Sequence, residues 1–121
     1  MASILVVDDD CDICSIIALA LEPLGVTVLA ASSCRQALEL CRRERPALIL
    51  LDAILPGEEG PCLTQIRSHA DLAGLPVVAM SGDPLRAQAL QAEGAVAVLP
   101  KPFPLEELRQ LVRRWGGTGS A

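Results

Sequence analysis

Four aspartates stand directly behind the first strongly apolar run of the chain, residues 4–7. Asp8, Asp9 and Asp10 are consecutive, and Asp12 follows after one intervening cysteine. Two unit charges about 4 Å apart repel each other by roughly 4 kcal/mol at an effective dielectric constant near 20. A group of acids this dense therefore needs a cation, a proton or abundant water beside it.

The elements that must position these acids follow from the spacing of the apolar residues. Short continuous apolar runs alternate with longer segments whose apolar residues recur at helical spacing. Strands that are apolar on both faces belong to a parallel sheet covered by helices on each side. The sequence therefore predicts an α/β domain of five βα units. The predicted strands are residues 4–7, 26–30, 48–51, 77–80 and 96–99.

Residues typical of helix ends separate these units. Ser32 and Ser33 offer an N-cap to the second helix, Asp83 followed by Pro84 starts the fourth, and Gly94 ends it. The expected inward-facing positions are Leu63, Ile66 and Ala70 in the third helix, and Leu105, Leu108, Val112 and Trp115 in the fifth.

The carboxyl ends of parallel strands meet at one edge of the sheet, where ligands bind. Five polar side chains are predicted to meet there: Asp8, Asp9, Asp52, Ser81 and Lys101. Clustered carboxylates beside a hydroxyl suit a hard cation such as Mg²⁺, which prefers oxygen ligands. Lys101 is the one lysine among ten basic residues, which indicates that a compact ammonium is needed there. A proline on each side of it makes a cis bond after Lys101 plausible.

Composition argues against several classes of function. Aromatic residues make up 2% of the chain and its net charge is −5, so neither base stacking nor a basic patch supports nucleic-acid binding. No apolar run approaches the ~20 residues that a membrane span needs. A cytoplasmic protein without membrane contact is therefore expected. The length of 121 residues fits one domain, residues 1–116, with a flexible tail at 117–121.

The five cysteines are odd in number and irregularly spaced, which argues against a disulfide framework. Cys11 and Cys14 have the spacing of a redox or metal pair, but no second pair or nearby histidine completes a zinc site. Two thiols at the start of a helix are the simpler interpretation. The redox interpretation stays open, because a helix N-terminus lowers a thiol pKa while neighbouring aspartates raise it.

Four motifs resemble the receiver domain of two-component response regulators, in particular that of chemotaxis regulators. They are "ILVVDDD", "LILLDAILPGEEG", "VVAMSGD" and "VLPKPF", and they occur in the family's order and spacing across residues 3–115. The resemblance implies a flavodoxin-like, doubly wound (βα)5 fold with strand order 2-1-3-4-5. It also implies a signalling phosphoprotein that acts in a phosphorelay.

The resemblance further implies a metal site and a phosphorylation site. Mg²⁺, or Mn²⁺ in its place, would be bound by Asp9, by Asp8 directly or through water, by Asp52 and by the backbone carbonyl of Ile54. Asp10 would instead cap the first helix, and Asp12 would be a solvated acid of its first turn.

Asp52 would accept a phosphoryl group from a phosphohistidine on a sensor histidine kinase or phosphotransfer protein. Lys101 would neutralise the phosphoryl oxygens, and Ser81 would donate a hydrogen bond to one of them. Phosphoryl transfer needs mainly positioning and charge neutralisation, which these side chains can supply. The resulting switch would act on an effector domain or a downstream protein.

Four positions depart from the usual receiver pattern. Val98 stands where receivers carry a Tyr or Phe that moves inward on phosphorylation. Ile54 places an apolar side chain beside the site, which should hinder the attacking water and lengthen the life of the aspartyl phosphate; Asp83 would work against this if it orients water.

Val96 and Ala97 replace an acidic pair that serves dimerisation in winged-helix regulators, so an apolar face with Val98, Ala95 and Ala92 could dock a partner.

Three alternatives remain beside the receiver hypothesis, in which the chain is not an enzyme but an autocatalytic phosphoryl acceptor. The first is a pseudo-receiver that acts as a protein-interaction module without phosphorylation. The second is a phosphatase with an aspartyl-phosphate intermediate, which commonly has a second Asp where this chain has Ile54. The third is a flavodoxin-like cofactor binder, which the lack of Tyr disfavours.

Overall fold

A computed structural model describes residues 3–53 and 62–115 of the chain. Strands and helices alternate within these ranges, and a 3-10 turn at Glu22–Leu24 follows the first helix. The strands are β1 Ser3–Val7, β2 Thr27–Ala31, β3 Leu48–Asp52, β4 Val77–Ser81 and β5 Ala97–Pro100. The helices are α1 Cys11–Leu21, α2 Cys34–Glu44, α3 Cys62–Ser68, α4 Pro84–Ala92 and α5 Leu105–Trp115. None of the helices in these ranges is long and apolar enough to cross a membrane.

The five strands form one parallel sheet in the order β2-β1-β3-β4-β5, which confirms the predicted doubly wound α/β fold. β2 and β5 lie one residue later in the chain than predicted, while β3 and β4 continue one residue further. Asp52 and Ser81 are therefore the last residues of their strands. Asp52 lies opposite Met80 and Ser81 lies opposite Pro100, so the ladder fixes both backbones at the sheet edge.

Side chains of the central strands alternate between two apolar clusters, one on each face of the sheet. Leu5 and Val7 pack with residues of α2, α3 and α4, whereas Ile4 and Val6 pack with residues of α1 and α5. All four side chains are fully buried. Burying a side chain of this kind stabilises a fold by about 1.5–3 kcal/mol. The apolar run in front of the aspartates thus holds in place the strand that leads to them.

The predicted helix ends are confirmed. The N-caps are Asp10 for α1, Ser33 for α2 and Asp83 for α4, and each side chain accepts a hydrogen bond from a backbone N–H of its own first turn. Such a cap contributes about 1 kcal/mol to stability. Gly94 follows α4 with a φ of 117°, a backbone conformation that favours glycine. Asp10 is thereby committed to α1.

Two of the predicted inward-facing positions are wrong. Ala70 is exposed because α3 ends at Ser68, and Leu72 in the following turns is buried instead. Leu105 is 39% exposed because it is the first residue of α5, where the helix has not yet reached the sheet. Leu108 and Val112, one and two turns later, are fully buried as predicted.

The expectation that the cysteines form no disulfide is wrong for one pair. Cys34 and Cys62 are joined by a disulfide, with their Cα atoms 5.5 Å apart. The two residues are 28 positions apart and begin different helices, so only the fold brings them together. Cys11, Cys14 and Cys41 are free thiols.

Candidate functional site

Three carboxylates meet at the carboxyl edge of the sheet. Ligand oxygens of Asp8, Asp9 and Asp52 all lie within 4.8 Å of one another. Asp8 is 2% exposed, Asp52 is half-buried and Asp9 is open to solvent. Oxygen donors this close fit a hard cation with water-accessible coordination positions, which is the preference of Mg²⁺. The donor set of these three residues therefore fits the predicted metal.

Contacts of its own hold Asp8 in place. Its backbone N–H donates to the Ala31 carbonyl at the end of β2 (3.0 Å), and its Oδ1 accepts from the Asp10 N–H (2.9 Å). Its Oδ2 accepts from the Lys101 ammonium (2.8 Å). Both carboxylate oxygens are thus satisfied, as a buried charge requires. The Ala31 and Asp10 contacts were not foreseen, because backbone groups leave no residue-type signal in a sequence.

Lys101 places one positive charge between two acids. Its Nζ lies 2.8 Å from Asp8 Oδ2 and 3.6 Å from Asp52 Oδ1. Burial by itself lowers the pKa of Lys101, but the hydrogen bond that its ammonium donates to Asp8 and the charges of both aspartates outweigh this effect and raise the pKa from its usual 10.5. The ammonium is therefore charged at neutral pH. Its position beside Asp52 is where negative charge would accumulate if that carboxylate were phosphorylated.

The backbone around Lys101 is fixed on both sides. Its N–H donates to the Ser81 carbonyl at 2.9 Å, which extends the β4–β5 ladder by one residue. The Lys101–Pro102 bond is cis, as the sequence suggested. Ala53, directly after Asp52, donates its N–H to the Met80 carbonyl at 2.9 Å. Backbone bonds to β4 therefore anchor the chain at Lys101 and immediately after Asp52.

Ser81 reaches the predicted edge, but its hydroxyl points into its own turn. The side chain is buried, donates from Oγ to the Asp83 carbonyl (3.0 Å) and accepts from the Asp83 N–H (2.9 Å). Asp83 Oδ1 is in turn used as the cap of α4. To donate to a phosphoryl oxygen, the Ser81 hydroxyl has to release the Asp83 carbonyl.

Ile54, the predicted backbone ligand, lies among residues 54–61, outside the described residues. Apart from Ile54 and Ser81, the predicted site residues lie close together: Asp8, Asp9, Asp52 and Lys101. The structure thus brings the side chains of the predicted metal set together with the one lysine.

Cys14 lies beside the site as a free thiol. Its Sγ is 3.8 Å from the Asp8 carbonyl oxygen. Burial raises the pKa of the Cys14 thiol, and the negative charge of Asp8 raises it further. The neutral thiol is thereby favoured, which argues against the redox interpretation of the Cys11 and Cys14 pair.

The apolar face predicted around Val98 is smaller than expected. Ala95 is 5% exposed, so it belongs to the core and not to a docking surface. Val98 is half-buried and lines a cleft of about 320 Å³ under α4, next to Ser81 and Pro100. The short Val98 side chain leaves this space beside the site open.

Comparison with known proteins is consistent with this geometry. Residues 4–113 match the family model described as the response regulator receiver domain. The chain belongs to this family. The match spans all five receiver strands and the acidic edge that they form.

Individual relatives agree with the assignment. The chain is 34% identical over 113 residues to the transcriptional regulatory protein KdpE of Staphylococcus aureus, covering 93% of this chain and 48% of that protein. A response regulator from Chloroflexus aurantiacus superposes with a TM-score of 0.86 at 30% identity, over 93% of this chain and 95% of that one.

A third relative is the receiver domain of the sensor histidine kinase PA1611 from Pseudomonas aeruginosa, with a magnesium ion in its active-site cleft. It superposes with a TM-score of 0.83 at 30% identity, over 97% of the present chain and 98% of the PA1611 chain. The chain spans about half the length of the curated relatives it matches.

Proposed function

We propose that this receiver domain is a phosphorylatable switch in a two-component system. Asp52 accepts the phosphoryl group of a phosphohistidine on a sensor histidine kinase or phosphotransfer protein. A carboxylate oxygen of Asp52 forms the new bond to phosphorus while the phosphorus–nitrogen bond breaks, and the imidazole nitrogen keeps the electron pair. The domain is an autocatalytic acceptor and turns over no free substrate.

The observation that carries this proposal is the position of Lys101 between Asp8 and Asp52. Two carboxylates without a cation beside them would repel an incoming phosphoryl group. The Lys101 ammonium, 3.6 Å from Asp52 Oδ1, can neutralise the oxygens of that group. Ser81 donates to one of these oxygens once its hydroxyl leaves the Asp83 carbonyl. Positioning and charge neutralisation are the main requirements of phosphoryl transfer.

Asp9 and Asp52, together with Asp8 and the Ile54 carbonyl, would hold one Mg²⁺, with Mn²⁺ as a substitute. When bound, the ion would screen the negative charges of the carboxylates and the phosphoryl oxygens. The magnesium ion in the cleft of the PA1611 receiver domain supports this choice of metal. Asp8 also accepts the 2.8 Å hydrogen bond of the Lys101 ammonium and so orients this lysine toward Asp52.

Melting in the presence of Mg²⁺ and beryllofluoride, which mimics a bound phosphoryl group, tests this assignment. The parent protein should show a rise in melting temperature that requires both additions, and Asp52→Asn should abolish the beryllofluoride part. Asp12→Asn removes an exposed acid of α1 and is the matched control, which should respond like the parent. An equal beryllofluoride response in parent and Asp52→Asn would refute the role of Asp52.

We expect the aspartyl phosphate to be long-lived, because an apolar residue two positions after Asp52 should hinder the attacking water. Ile54→Asn should shorten its half-life, measured as the decay of phosphoprotein after rapid removal of the phosphodonor. A half-life equal to that of the parent would show that Ile54 does not slow hydrolysis of the aspartyl phosphate.

The output of the switch is an effector domain or a downstream protein, reached in the cytoplasm without direct nucleic-acid contact by this domain. The curated relatives named as transcriptional regulators are about twice as long as this chain, which supports an effector domain as the output. The rival function is a pseudo-receiver that signals by protein contact alone. The Ser81 hydroxyl engaged in its own turn favours that rival, and the absence of any response to beryllofluoride would support it.

A further inference from the structure

Cys11 and Cys14 are the two accessible thiols of the chain. Cys11 is exposed and Cys14 is half-buried, whereas Cys41 is fully buried and the other two cysteines are bonded to each other. Both accessible thiols line one cleft of about 350 Å³, between the first turn of α1 and the end of β2. The proposed phosphorylation chemistry uses neither of them.

The helix holds these two side chains at a spacing that lets both reach one metal ion. Cys11 is the first residue of α1 and Cys14 follows three positions later. Side chains three residues apart in a helix are neighbours, with Cβ atoms about 5–6 Å apart. A metal–thiolate bond is about 2.3 Å long, so an ion held between two sulfurs separates them by about 4.6 Å. The pair can therefore hold an ion without a change in the helix.

Negative charges around the pair favour a cation there. Asp10 caps α1 and Asp12 lies in its first turn, so an aspartate stands on each side of Cys11 in the chain. Burial, and then the charge of Asp8, raises the pKa of the Cys14 thiol, which disfavours a bare thiolate. A metal cation has the opposite relation to these charges, because it replaces the thiol proton and is attracted by the aspartates.

The number of ligands favours a soft ion of low coordination number. Structural Zn²⁺ sites take four ligands, and Fe–S clusters are likewise held by four cysteines. Within residues 3–53 and 62–115, the acidic edge is the one group of three or more His, Cys, Asp or Glu side chains that could share a metal ion. The cysteine pair thus has no third such ligand in these ranges. Soft thiolate ligands select Cu⁺, which forms stable complexes with two of them.

We infer that Cys11 and Cys14 bind one Cu⁺ ion as a bis-thiolate complex at the start of α1. Each sulfur donates an electron pair to the ion and each thiol proton goes to solvent, so one Cu⁺ and two thiols give the complex and two protons. Copper keeps its oxidation state, and no disulfide forms or breaks. The inference goes beyond the proposed function and does not depend on it, since copper binding needs neither Mg²⁺ nor a phosphodonor.

Competition with a coloured Cu⁺ chelator under anaerobic conditions tests this site. The protein is titrated into the Cu⁺ complex of bicinchoninate, and the loss of absorbance measures the copper transferred. The parent should take up one equivalent of copper. Cys11→Ser and Cys14→Ser should each bind copper about 10²–10⁴-fold more weakly, because one thiolate remains and the advantage of two linked ligands is lost. X-ray absorption of the parent complex should show two sulfur neighbours of copper.

Two further variants serve as controls. Cys41→Ala removes the buried thiol and should bind copper like the parent. Asp52→Asn changes a carboxylate of the acidic edge and should also keep full copper affinity, which separates the cysteine pair from the proposed Mg²⁺ site. Because the Cys11 side chain is exposed, Cys11→Ser should leave the fold intact, as circular dichroism will check. This variant decides the test even if Cys14→Ser folds poorly.

Three results would overturn the inference. The first is a parent that takes no copper from the chelator. The second is an equal affinity in the parent and Cys11→Ser, because the ion would then be held elsewhere. The third is a loss of affinity in Asp52→Asn as large as in Cys11→Ser, which would assign the copper to the acidic edge. Each of these results leaves the beryllofluoride test of the phosphorylation switch unaffected.

Discussion

Lys101 and Asp8, which are 93 positions apart in the sequence, form a hydrogen-bonded ion pair of 2.8 Å between Nζ and Oδ2. Asp8 is nearly inaccessible to solvent, while Lys101 also reaches toward Asp52. The ammonium therefore offsets part of the repulsion among the site carboxylates before any metal binds. The first strand and the end of the fifth are tied together through the chemistry of the site.

Removing this ammonium should destabilise the domain and increase its dependence on metal. Lys101→Met leaves the buried Asp8 carboxylate without its partner, which costs about 3 kcal/mol of unfolding free energy. Mg²⁺ should then raise the melting temperature by more than it does in the parent. Urea unfolding with and without Mg²⁺ measures both effects.

A surface ion pair provides the control for that substitution. Arg86 lies 3.9 Å from Asp83, and both side chains are largely exposed. Arg86→Met should cost less than about 1 kcal/mol and leave the Mg²⁺ effect unchanged. Equal losses in the two variants would show that Lys101 is only a surface cation.

Asp9 should matter for the metal and hardly at all for the fold. Its side chain is exposed and lies in the carboxylate cluster, so Asp9→Ala should relieve repulsion in the metal-free protein. The same variant should weaken Mg²⁺ binding by about tenfold or more, because a direct ligand is lost. Calorimetric titration measures the affinity, with Asp12→Asn as the control. Unchanged Mg²⁺ affinity would assign the metal to other residues.

Cys41 should make the domain lose stability at alkaline pH. Burial raises the pKa of its thiol from 9.0 to about 11. The unfolded chain therefore releases this proton at a lower pH than the folded domain, so stability is fully present below pH 9.0 and decreases as the pH rises toward 11. Two pKa units correspond to about 2–3 kcal/mol of unfolding free energy.

Comparison with Cys41→Ala isolates this effect. The raised pKa of Lys101 also removes stability, above pH 10.5, but that contribution is common to both proteins. The difference in unfolding free energy between parent and variant should shrink as the pH rises from 9 to 11. A difference that stays constant over this range would mean that the thiol ionises equally in both states.

The disulfide should contribute substantially to stability. Cross-linking two residues 28 positions apart restricts the unfolded chain, which corresponds to about 3–4 kcal/mol on the chain-entropy model. Urea unfolding with and without a dithiol reductant measures the loss in the parent. Cys34→Ala should show no effect of the reductant. An equal free energy of unfolding in the oxidised and the reduced parent would show that the disulfide does not stabilise the domain by restricting the unfolded chain.

The sequence predicted those features that depend on residue type and period. Continuous apolar runs predicted the strands. Because the carboxyl ends of parallel strands lie at one edge of the sheet, Asp8, Asp52 and Lys101 were predicted to meet there. The local caps at Asp10 and Ser33 were also foreseeable, because their partners lie within one helical turn.

The features that the sequence did not predict depend on contacts between distant elements. Cys34 and Cys62 are far apart in the chain and carry no signal of their pairing. The Ser81 hydroxyl could face the site or its own turn, and residue type does not distinguish the two. The carbonyl of Ala31 supports Asp8 through a backbone group that any residue would offer.

Asp52 is the residue that we propose accepts a phosphoryl group at this edge of the sheet. Incubation with acetyl phosphate and Mg²⁺, followed by intact-mass measurement and peptide mapping, tests it directly. The parent should gain the mass of one phosphoryl group on the peptide that contains Asp52, only when Mg²⁺ is present, and Asp52→Asn should gain none. Equal modification of parent and variant, or no modification of either, would contradict the account.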